Sequence, residues 1–293
     1  MRFTSPAGSD SEAFERHILK VAIPGSQPKY SLTLEDDELV LTKGNRKGLF
    51  LVKTQPERGD FLHAAMYPEN EHLTMQIASS VFDISTTINA LVFFSDETPA
   101  YLTRRFDVEP NYKSFQQEDF AQLKERSIKA QDYTYEDVGK LIRKYVAASG
   151  PAIIIFYRRL LFNYLFSNGD GGLGSFSIMR SHLGDYTLTP AYDLLCTKLH
   201  DSNSPDTAMD LYTGVRRSSY YLKHRYAGTA EFIVLGEKLG IPASRALLLI
   251  KAMLDKSLKA IKMVEQSFLD QESKAAYLHL FSEKLNRLTT TYP

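Results

Sequence analysis

The sequence predicts an α+β protein with two lobes, a β-rich first part and a helical second part. Short alternating segments separated by polar turns fill the first hundred or so residues, and helical periodicity dominates after residue 107. Elements of different type pack as separate layers and leave a cleft between them. We therefore expect residues 1–107 to form the first lobe, residues 108–293 the second, and a ligand cleft between the two.

The composition is that of an ordinary globular chain. The 293 residues include 35 basic and 35 acidic side chains, which gives a formal net charge of zero and argues against a surface made wholly for nucleic acid. The single cysteine, Cys196, excludes an internal disulfide and a cysteine-based zinc cluster. No stretch has the length and apolarity of a signal peptide or a membrane helix. The sequence predicts a cytoplasmic protein with no membrane contact and no direct nucleic-acid contact.

The first part contains alternating apolar and polar segments bounded by turn residues. Glu35, Asp36 and Asp37 form an acidic turn between two such segments, which predicts a hairpin. Residues 70–79 instead have the spacing of a helix. The predicted strands are residues 30–34, 38–42, 49–53, 88–94 and 100–105.

The second part begins with a helix start signal. Thr134 and Asp137 have the spacing of a capping box, and apolar residues on one helical face follow them. Residues 152–166 are apolar almost all round, which predicts a buried central helix opened by Gly150 and Pro151. Further amphipathic helix is predicted over residues 243–267 and 273–288.

A short hairpin after the central helix is expected to bring two aspartates together. Residues 176–180 and 186–189 predict its two strands, and Asp170 and Asp193 lie just outside its ends. The outer ends of a hairpin lie side by side, so we expect the carboxylates near one another. Hard oxygen ligands of this kind suit Mg²⁺. The spacing is equally compatible with two aspartates that only cap turns.

The same stretch resembles the HipA-type serine/threonine kinases of toxin–antitoxin systems. The resemblance begins with Asn168-Gly169-Asp170 and residues 190–195, Pro-Ala-Tyr-Asp-Leu-Leu. It extends, in the family's order, from about residue 20 to at least residue 195. The further matching segments are Pro24-Gly25-Ser26-Gln27 with Lys29 (phosphate loop), Leu51-Val52-Lys53 (strand lysine), Asn70-Glu71 (helix), Arg104-Arg105-Phe106-Asp107 (hinge) and residues 117–122.

The resemblance implies a protein-kinase-like fold with ATP in the cleft and Mg²⁺ beside it. It implies that Asp170 is the catalytic residue and that Asp193 holds the metal, with Ser175 at a second metal-binding position. Lys53 and Tyr192 have ordinary alternatives, as a solvated strand-end lysine and as a core tyrosine. The ATP-binding residues that the resemblance implies are Pro24, Gly25, Ser26, Gln27, Lys29, Lys53, Glu71, Arg104, Phe106 and Tyr192.

The catalytic loop departs from the family pattern. The family has Asp-x-His-x-Lys/Arg-Asn, whereas this chain has Gly172, Gly174 and Ser175 where the family has the histidine, the basic residue and the asparagine. A serine offers one oxygen with a shorter reach than asparagine. The alternative to an active kinase is therefore a pseudokinase or inactivated variant that binds ATP or an antitoxin without efficient phosphoryl transfer.

The resemblance also implies a biological setting. It predicts a toxin that phosphorylates a protein, plausibly an aminoacyl-tRNA synthetase, and that autophosphorylates. Ser26 is the candidate autophosphorylation site, because it is the one hydroxyl residue within the predicted phosphate loop. Only about 20 residues precede that loop, as in the short, HipT-like form of the family. The implied partners are a HipB-like DNA-binding antitoxin and a HipS-like small protein that supplies an N-terminal subdomain.

Overall fold

A computed structural model places the predicted strands in one antiparallel sheet. Its order is β2-β1-β3-β5-β4. Asp36 and Asp37 join β1 to β2 with φ of 48° and 61°, the left-handed values that a tight hairpin turn requires. The strands are β1 (Lys29–Glu35), β2 (Glu38–Leu41), β3 (Phe50–Lys53), β4 (Asn89–Phe93) and β5 (Pro99–Arg104). The structure describes residues 1, 3–8, 12, 14, 28–43, 47–56, 62–124, 132–214 and 217–289.

A second, three-stranded sheet contains the predicted hairpin. It consists of β6 (Gln117–Asp119), β7 (Ser177–Arg180) and β8 (Tyr186–Leu188), with β7 in the middle. The hairpin prediction is confirmed, because β7 and β8 pair antiparallel. Strand β6 was not predicted from the sequence. It pairs antiparallel with β7, so the segment after the predicted hinge is hydrogen-bonded to the hairpin.

Helices make up most of the chain after β6. Thr134 accepts a hydrogen bond from the Asp137 amide and Asp137 accepts one from the Thr134 amide, so the predicted capping box is confirmed. The helix before the sheet's last two strands begins at Tyr67, because Pro68 suits a first turn. The described helices are α1 (Tyr67–Ser80), α2 (Phe120–Leu123), α3 (Tyr135–Tyr145), α4 (Ser149–Leu165), α5 (Ser219–His224), α6 (Thr229–Lys238), α7 (Ala243–Leu254), α8 (Ser257–Glu265) and α9 (Gln271–Thr289).

The helix predicted over residues 243–267 is present as two separate helices. Residues 243–267 do not form continuous helix but divide into α7 and α8 at Asp255 and Lys256. The two halves pack on different partners, α7 mainly on α6, and α8 on α1 and α9. The break therefore lets each half bury its own apolar face, and no glycine or proline marks it.

The helical part has a continuous core around α4, as its apolar sequence predicts. Ile153, Phe156, Leu161 and Leu165 of α4 are almost fully buried. Residues of α1 belong to the same hydrophobic cluster, whereas the five-stranded sheet has a separate small cluster. Helix α1 thus joins the sheet to the helical core, and the lobe boundary at residue 107 stays a prediction. No helix among the described residues has the length and apolarity to cross a membrane.

Candidate active site

An ion-pair network joins three elements that are far apart in the sequence. Lys53 ends β3 and is 4% exposed. Its Nζ lies 2.5 Å from Oε1 of Glu71 on α1, and it also donates a hydrogen bond to Oδ1 of Asp193, 140 residues away. Lys29 on the neighbouring strand lies with its Nζ 3.5 Å from the other oxygen of Asp193. The fold therefore brings together four side chains that the sequence had assigned to one site.

Lys53 and Asp193 hold each other in their ionised forms, whereas at Glu71 the effect of burial outweighs the attraction of Lys53. Burial acts to raise the pKa of Asp193, but Lys53 and Lys29 outweigh it and lower the pKa to about 2. Burial acts to lower the pKa of Lys53, and the carboxylates of Asp193 and Glu71 reverse the effect and raise it. Burial raises the pKa of Glu71 to about 7, against the attraction of Lys53. A buried cation thus stays charged beside a carboxylate that is ionised over the whole working range of pH.

A cavity of about 270 Å³ is lined by Lys29, Lys53 and Asp193 of this network. Phe106 and Tyr192 also line it, with ring centroids 5.7 Å apart at an interplanar angle of 30°. A lining with both cationic groups and aromatic rings suits a nucleotide, because lysines can bind phosphates and aromatic rings can pack on a base. Its lining includes the predicted site residues Lys29, Lys53, Arg104, Phe106, Tyr192 and Asp193.

Asp170 lies beside this cavity rather than in its wall. The segment after α4 turns through Ser167, with φ of 51°, and is joined to the Asp193 segment. Asn168 donates its side-chain amide to the Asp193 carbonyl at 3.3 Å, and the Gly169 amide donates to Oγ1 of Thr197 at 2.8 Å. Asp170 itself is exposed, and burial followed by the charge of Asp201 raises its pKa. The two aspartates are therefore held on joined segments, one facing the cavity and one facing the solvent.

The glycines of the loop from Gly169 to Gly174 have different surroundings. A Cβ at Gly169 would lie 2.4 Å from the Pro205 carbonyl oxygen, and a Cβ at Gly171 would lie 2.6 Å from Nδ2 of Asn163. A Cβ at Gly172 would meet nothing nearer than 3.6 Å, and one at Gly174 nothing within 4 Å. The fold therefore needs glycine at the first two positions and has room for a side chain at the other two.

Oxygen atoms suited to Mg²⁺ are present near Asp193. Its side chain is 38% exposed in the cleft, and Oδ1 of the neighbouring Asn168 is buried without a hydrogen-bond partner in the described part of the chain. Ser175 donates its hydroxyl to the Asp170 carbonyl at 3.0 Å and keeps its lone pairs. Among the described residues no three acidic, histidine or cysteine side chains cluster as a metal site. Mg²⁺ would therefore rest on one carboxylate and on oxygens of the nucleotide, which is usual for this ion.

Pro24, Gly25, Ser26 and Gln27 lie outside the described residues. Tyr67 was not predicted, although it lies on α1 and its hydroxyl experiences the charges of Asp170, Glu71 and Asp193. Its position four residues before Glu71 was the signal in the sequence, because residues with that spacing share a helical face.

The β-sheet, the linking helix α1, the helical core and the lysine–glutamate–aspartate network define a protein-kinase-like fold. The HipA-like C-terminal domain family matches residues 21–261, and the chain belongs to that family. The resemblance seen in the motifs is thereby confirmed.

Named proteins resemble the chain over most of its length. A Haemophilus influenzae protein named "Putative kinase" is 26% identical in an alignment 287 residues long that covers 90% of this chain and 81% of that protein. Among solved structures, a chain of the Shewanella oneidensis HipA–HipB–operator DNA complex has a TM-score of 0.69 and 18% identity. The match covers 92% of this chain and 66% of that one. The Helicobacter pylori proinflammatory kinase CtkA has a TM-score of 0.54 and 14% identity, covering 88% of this chain and 93% of that one.

Proposed function

We propose that this chain is an ATP- and Mg²⁺-dependent serine/threonine protein kinase. The observation that supports this most is the contact of Lys53 with both Glu71 and Asp193 at the wall of a nucleotide-sized cavity. Phosphoryl transfer depends mainly on positioning and on positive charge beside the phosphate oxygens. A buried lysine that stays charged and is fixed by two acidic side chains meets that need. An ion pair with only a structural role would not have to lie at the wall of a cavity.

The residues have distinct tasks in this proposal. Lys53 and Lys29 bind the phosphates, and Glu71 fixes the direction of the Lys53 side chain. Phe106 and Tyr192 hold the base, with the Arg104 backbone beside it. Asp193 and Ser175 would hold Mg²⁺, which when bound neutralises charge on the phosphates.

Asp170 would act on the acceptor. Its exposed carboxylate lies where a protein hydroxyl can reach it, next to the segment that carries Asp193. The raised pKa of Asp170 makes it a better proton acceptor than an ordinary aspartate. Asp170 would thus orient the serine or threonine hydroxyl and take its proton.

The proposed setting is a HipA/HipT-type toxin–antitoxin system. Membership of the HipA-like family and the fold shared with a HipA–HipB–operator DNA complex support it. We include a HipB-like antitoxin or a HipS-like small protein as partner, and an aminoacyl-tRNA synthetase as substrate. We also include autophosphorylation, with Ser26 as the candidate site.

A second function is favoured by the catalytic loop. Gly172 and Gly174 lack the histidine and the basic side chain of the family pattern, and Ser175 replaces its asparagine, while Lys53 keeps its contacts with Glu71 and Asp193. A pseudokinase that binds ATP and regulates an antitoxin partner would have this combination of features.

The two functions are separated by measuring ATP binding and phosphate transfer in parallel. ATP at a hundredfold excess over its Kd should stabilise the folded chain by about 2.7 kcal/mol under either function. Transfer of ³²P from [γ-³²P]ATP to the chain itself or to a general protein acceptor should occur with the native sequence and fail with Asp170→Asn. If ATP stabilises the chain but neither the native sequence nor Asp170→Asn transfers phosphate, the kinase function is excluded and the pseudokinase function is supported.

A further inference from the structure

The buried hydroxyl of Thr197 joins the segment after Asp193 to the loop that carries Asp170. Thr197 is 5% exposed and begins a single helical turn four residues after Asp193. Its Oγ1 accepts a hydrogen bond from the Gly169 amide at 2.8 Å and donates one to the Ser167 carbonyl oxygen at 3.0 Å. Because Gly169 directly precedes Asp170, these bonds fix the main chain next to that carboxylate.

The bonding capacity of this hydroxyl is used completely. A threonine hydroxyl has one proton and two lone pairs. The proton goes to the Ser167 carbonyl, which can only accept, and one lone pair accepts from the Gly169 amide. Oγ of Ser204 lies 2.7 Å away, and it is the donor in this contact because the Thr197 proton is already engaged. The three contacts therefore give the Thr197 hydroxyl one orientation.

The loop before Asp170 has a main-chain shape that needs such an anchor. Ser167 has a φ of 51°, a left-handed value that a residue with a side chain keeps only where surrounding contacts fix it. Its carbonyl also accepts from the Lys198 amide at 3.3 Å. A Cβ at Gly169 would lie 2.4 Å from the Pro205 carbonyl oxygen, so the loop lies tightly against the next segment. The anchoring bonds therefore stabilise a shape that the loop would not adopt by itself.

The residue before Thr197 ties the same segment to the nucleotide side. The Cys196 amide donates to Oδ1 of Asn70 at 3.0 Å, and Nδ2 of Asn70 donates to the Cys196 carbonyl oxygen at 3.0 Å. Asn70 directly precedes Glu71, which pairs with Lys53. The segment is thus bonded at one residue to helix α1 and at the next residue to the loop of Asp170.

We propose that Thr197 is a positioning residue for phosphoryl transfer, whose hydroxyl holds the Asp170 carboxylate at the distance from Asp193 that transfer requires. The proposal rests on the proposed kinase function, and Thr197 itself touches neither ATP nor the acceptor. In the transfer step the acceptor oxygen forms a bond to the γ-phosphorus while the bond from that phosphorus to the bridging oxygen breaks. The bridging oxygen keeps the electron pair and leaves with ADP. The acceptor proton goes to the Asp170 carboxylate, and Thr197 keeps its own proton.

A displaced Asp170 affects the rate of transfer rather than the binding of ATP. An error of about 1 Å in the placement of a reacting group costs about 100-fold in rate. The contacts of Lys53 with Glu71 and Asp193 do not involve the Thr197 hydroxyl. Residues 171–174 after Asp170 are Gly-Gly-Leu-Gly, so that side of the loop has one side chain to hold it. The bonds on the side before Asp170 therefore matter more for its position.

The test is Thr197→Val, which removes the hydroxyl and keeps nearly the same shape of side chain. We expect kcat for phosphate transfer to fall about 10- to 100-fold, with the Kd for ATP unchanged. Thr197→Ser keeps the hydroxyl and should restore most of kcat. A role in packing alone predicts neither this separation of kcat from Kd nor the recovery by serine.

Thr229→Val is the matched control, because Thr197→Val also loses a buried hydrogen bond and should melt at a lower temperature. Thr229 is 2% exposed at the start of α6, and its hydroxyl donates to the Leu288 carbonyl oxygen of α9. These two helices carry none of the proposed site residues. Assayed below the melting temperature of every variant, Thr229→Val should keep the native kcat.

Ser204→Ala is a milder second variant, in case Thr197→Val does not fold. It removes the bond that orients the Thr197 hydroxyl and leaves both bonds to the loop in place. We expect kcat to fall severalfold with the Kd for ATP unchanged. Where Thr197→Val does not fold, an unchanged kcat in Ser204→Ala overturns the proposal.

Three further results would overturn it. An unchanged kcat in folded Thr197→Val, or a fall no larger than in Thr229→Val, shows that Thr197 does not position the loop. A Kd for ATP that rises as kcat falls, or no recovery in Thr197→Ser, shows a role in nucleotide binding or in packing instead. No transfer by the native sequence removes the kinase function itself, a result distinct from the first two, and the Thr197 role fails with it.

Discussion

The nucleotide side of the cleft and the loop that follows Asp170 are built in opposite ways. On the nucleotide side, Lys53, Glu71 and Asp193 come from a strand, a helix and a post-hairpin segment, and each is held by another. In the loop, a Cβ at Gly172 would make only ordinary contact with Ala208 at 3.6 Å, and one at Gly174 would meet nothing within 4 Å. The side chains of the nucleotide side are therefore fixed by contacts with the rest of the fold. At Gly172 and Gly174, in contrast, packing does not require the absence of a side chain.

ATP binding and phosphoryl transfer therefore depend on different parts of the fold. A change in the ion-pair network leaves a charge buried without its partner, so it disturbs folding and binding together. A change at Gly172 or Gly174 alters the chemistry beside Asp170 and leaves the fold as it is. Similarity of fold to known kinases therefore supports ATP binding more strongly than it supports a high rate of phosphoryl transfer.

The largest effect is expected from Lys53→Met. The substitution removes the lysine that pairs with Oε1 of Glu71, whose other oxygen is already buried without a hydrogen-bond partner among the described residues. Asp193 would keep its ion pair with Lys29. Breaking a buried ion pair in this way costs about 3–5 kcal/mol. We expect that loss in urea unfolding and the disappearance of stabilisation by ATP.

The matched control for Lys53→Met is Lys140→Met. Lys140 also pairs with two carboxylates, those of Glu136 and Asp137, but it is 64% exposed on α3. Solvent screening limits such pairs to about 1 kcal/mol or less. Equal destabilisation by the two substitutions, or ATP binding that survives Lys53→Met, would contradict the assignment of Lys53 to the nucleotide site.

The parts of the site that could be predicted from the sequence are local. The capping box at Thr134 and the hairpin that places Asp193 depend on residues a few positions apart, so their patterns are visible in the sequence. The contact of Lys53 with Asp193 spans 140 residues, and only the family resemblance indicated it. The order of the motifs identified Lys53 and Asp193 as site residues, but it did not predict the geometry of their contact.

The parts that could not be predicted depend on long-range packing. The stack of Tyr67 on His200 joins residues 133 positions apart and has no motif. The division of residues 243–267 into α7 and α8 has no glycine or proline to mark it, because it is set by the different neighbours of each half. Such features follow from the assembled core and not from any one segment.

An intermediate effect is expected from restoring the family's side chains with Gly172→His, Gly174→Lys and Ser175→Asn together. A Cβ meets nothing closer than 3.6 Å at Gly172 and nothing within 4 Å at Gly174, and supporting contacts of this kind are commonly worth about 10- to 100-fold. We expect kcat for phosphate transfer to rise by that factor with the Kd for ATP unchanged. A folded triple variant with no gain in kcat would show that the loop does not limit transfer.

Gly169→Ala is the steric control for that variant. Its Cβ would lie 2.4 Å from the Pro205 carbonyl oxygen, a backbone atom that cannot turn away. We expect a lower melting temperature for Gly169→Ala and an unchanged one for Gly174→Ala. Equal melting temperatures would contradict the contrast between the two kinds of glycine in this loop.

The smallest effect is expected from Asp201→Asn, and it concerns pH. The carboxylate form of Asp170 is the proton acceptor, and its raised pKa means that kcat falls as the pH drops through that value. Removing the charge of Asp201 should lower the pKa of Asp170 and move the acid limb of the kcat profile to lower pH. Protonation of Asp193 should not change the Kd for ATP in this range, because Lys53 and Lys29 hold the pKa of Asp193 at about 2 against the effect of burial. If the acid limb stays in place, or moves together with ATP binding, then the limb belongs to the nucleotide side and Asp170 is not the group that titrates.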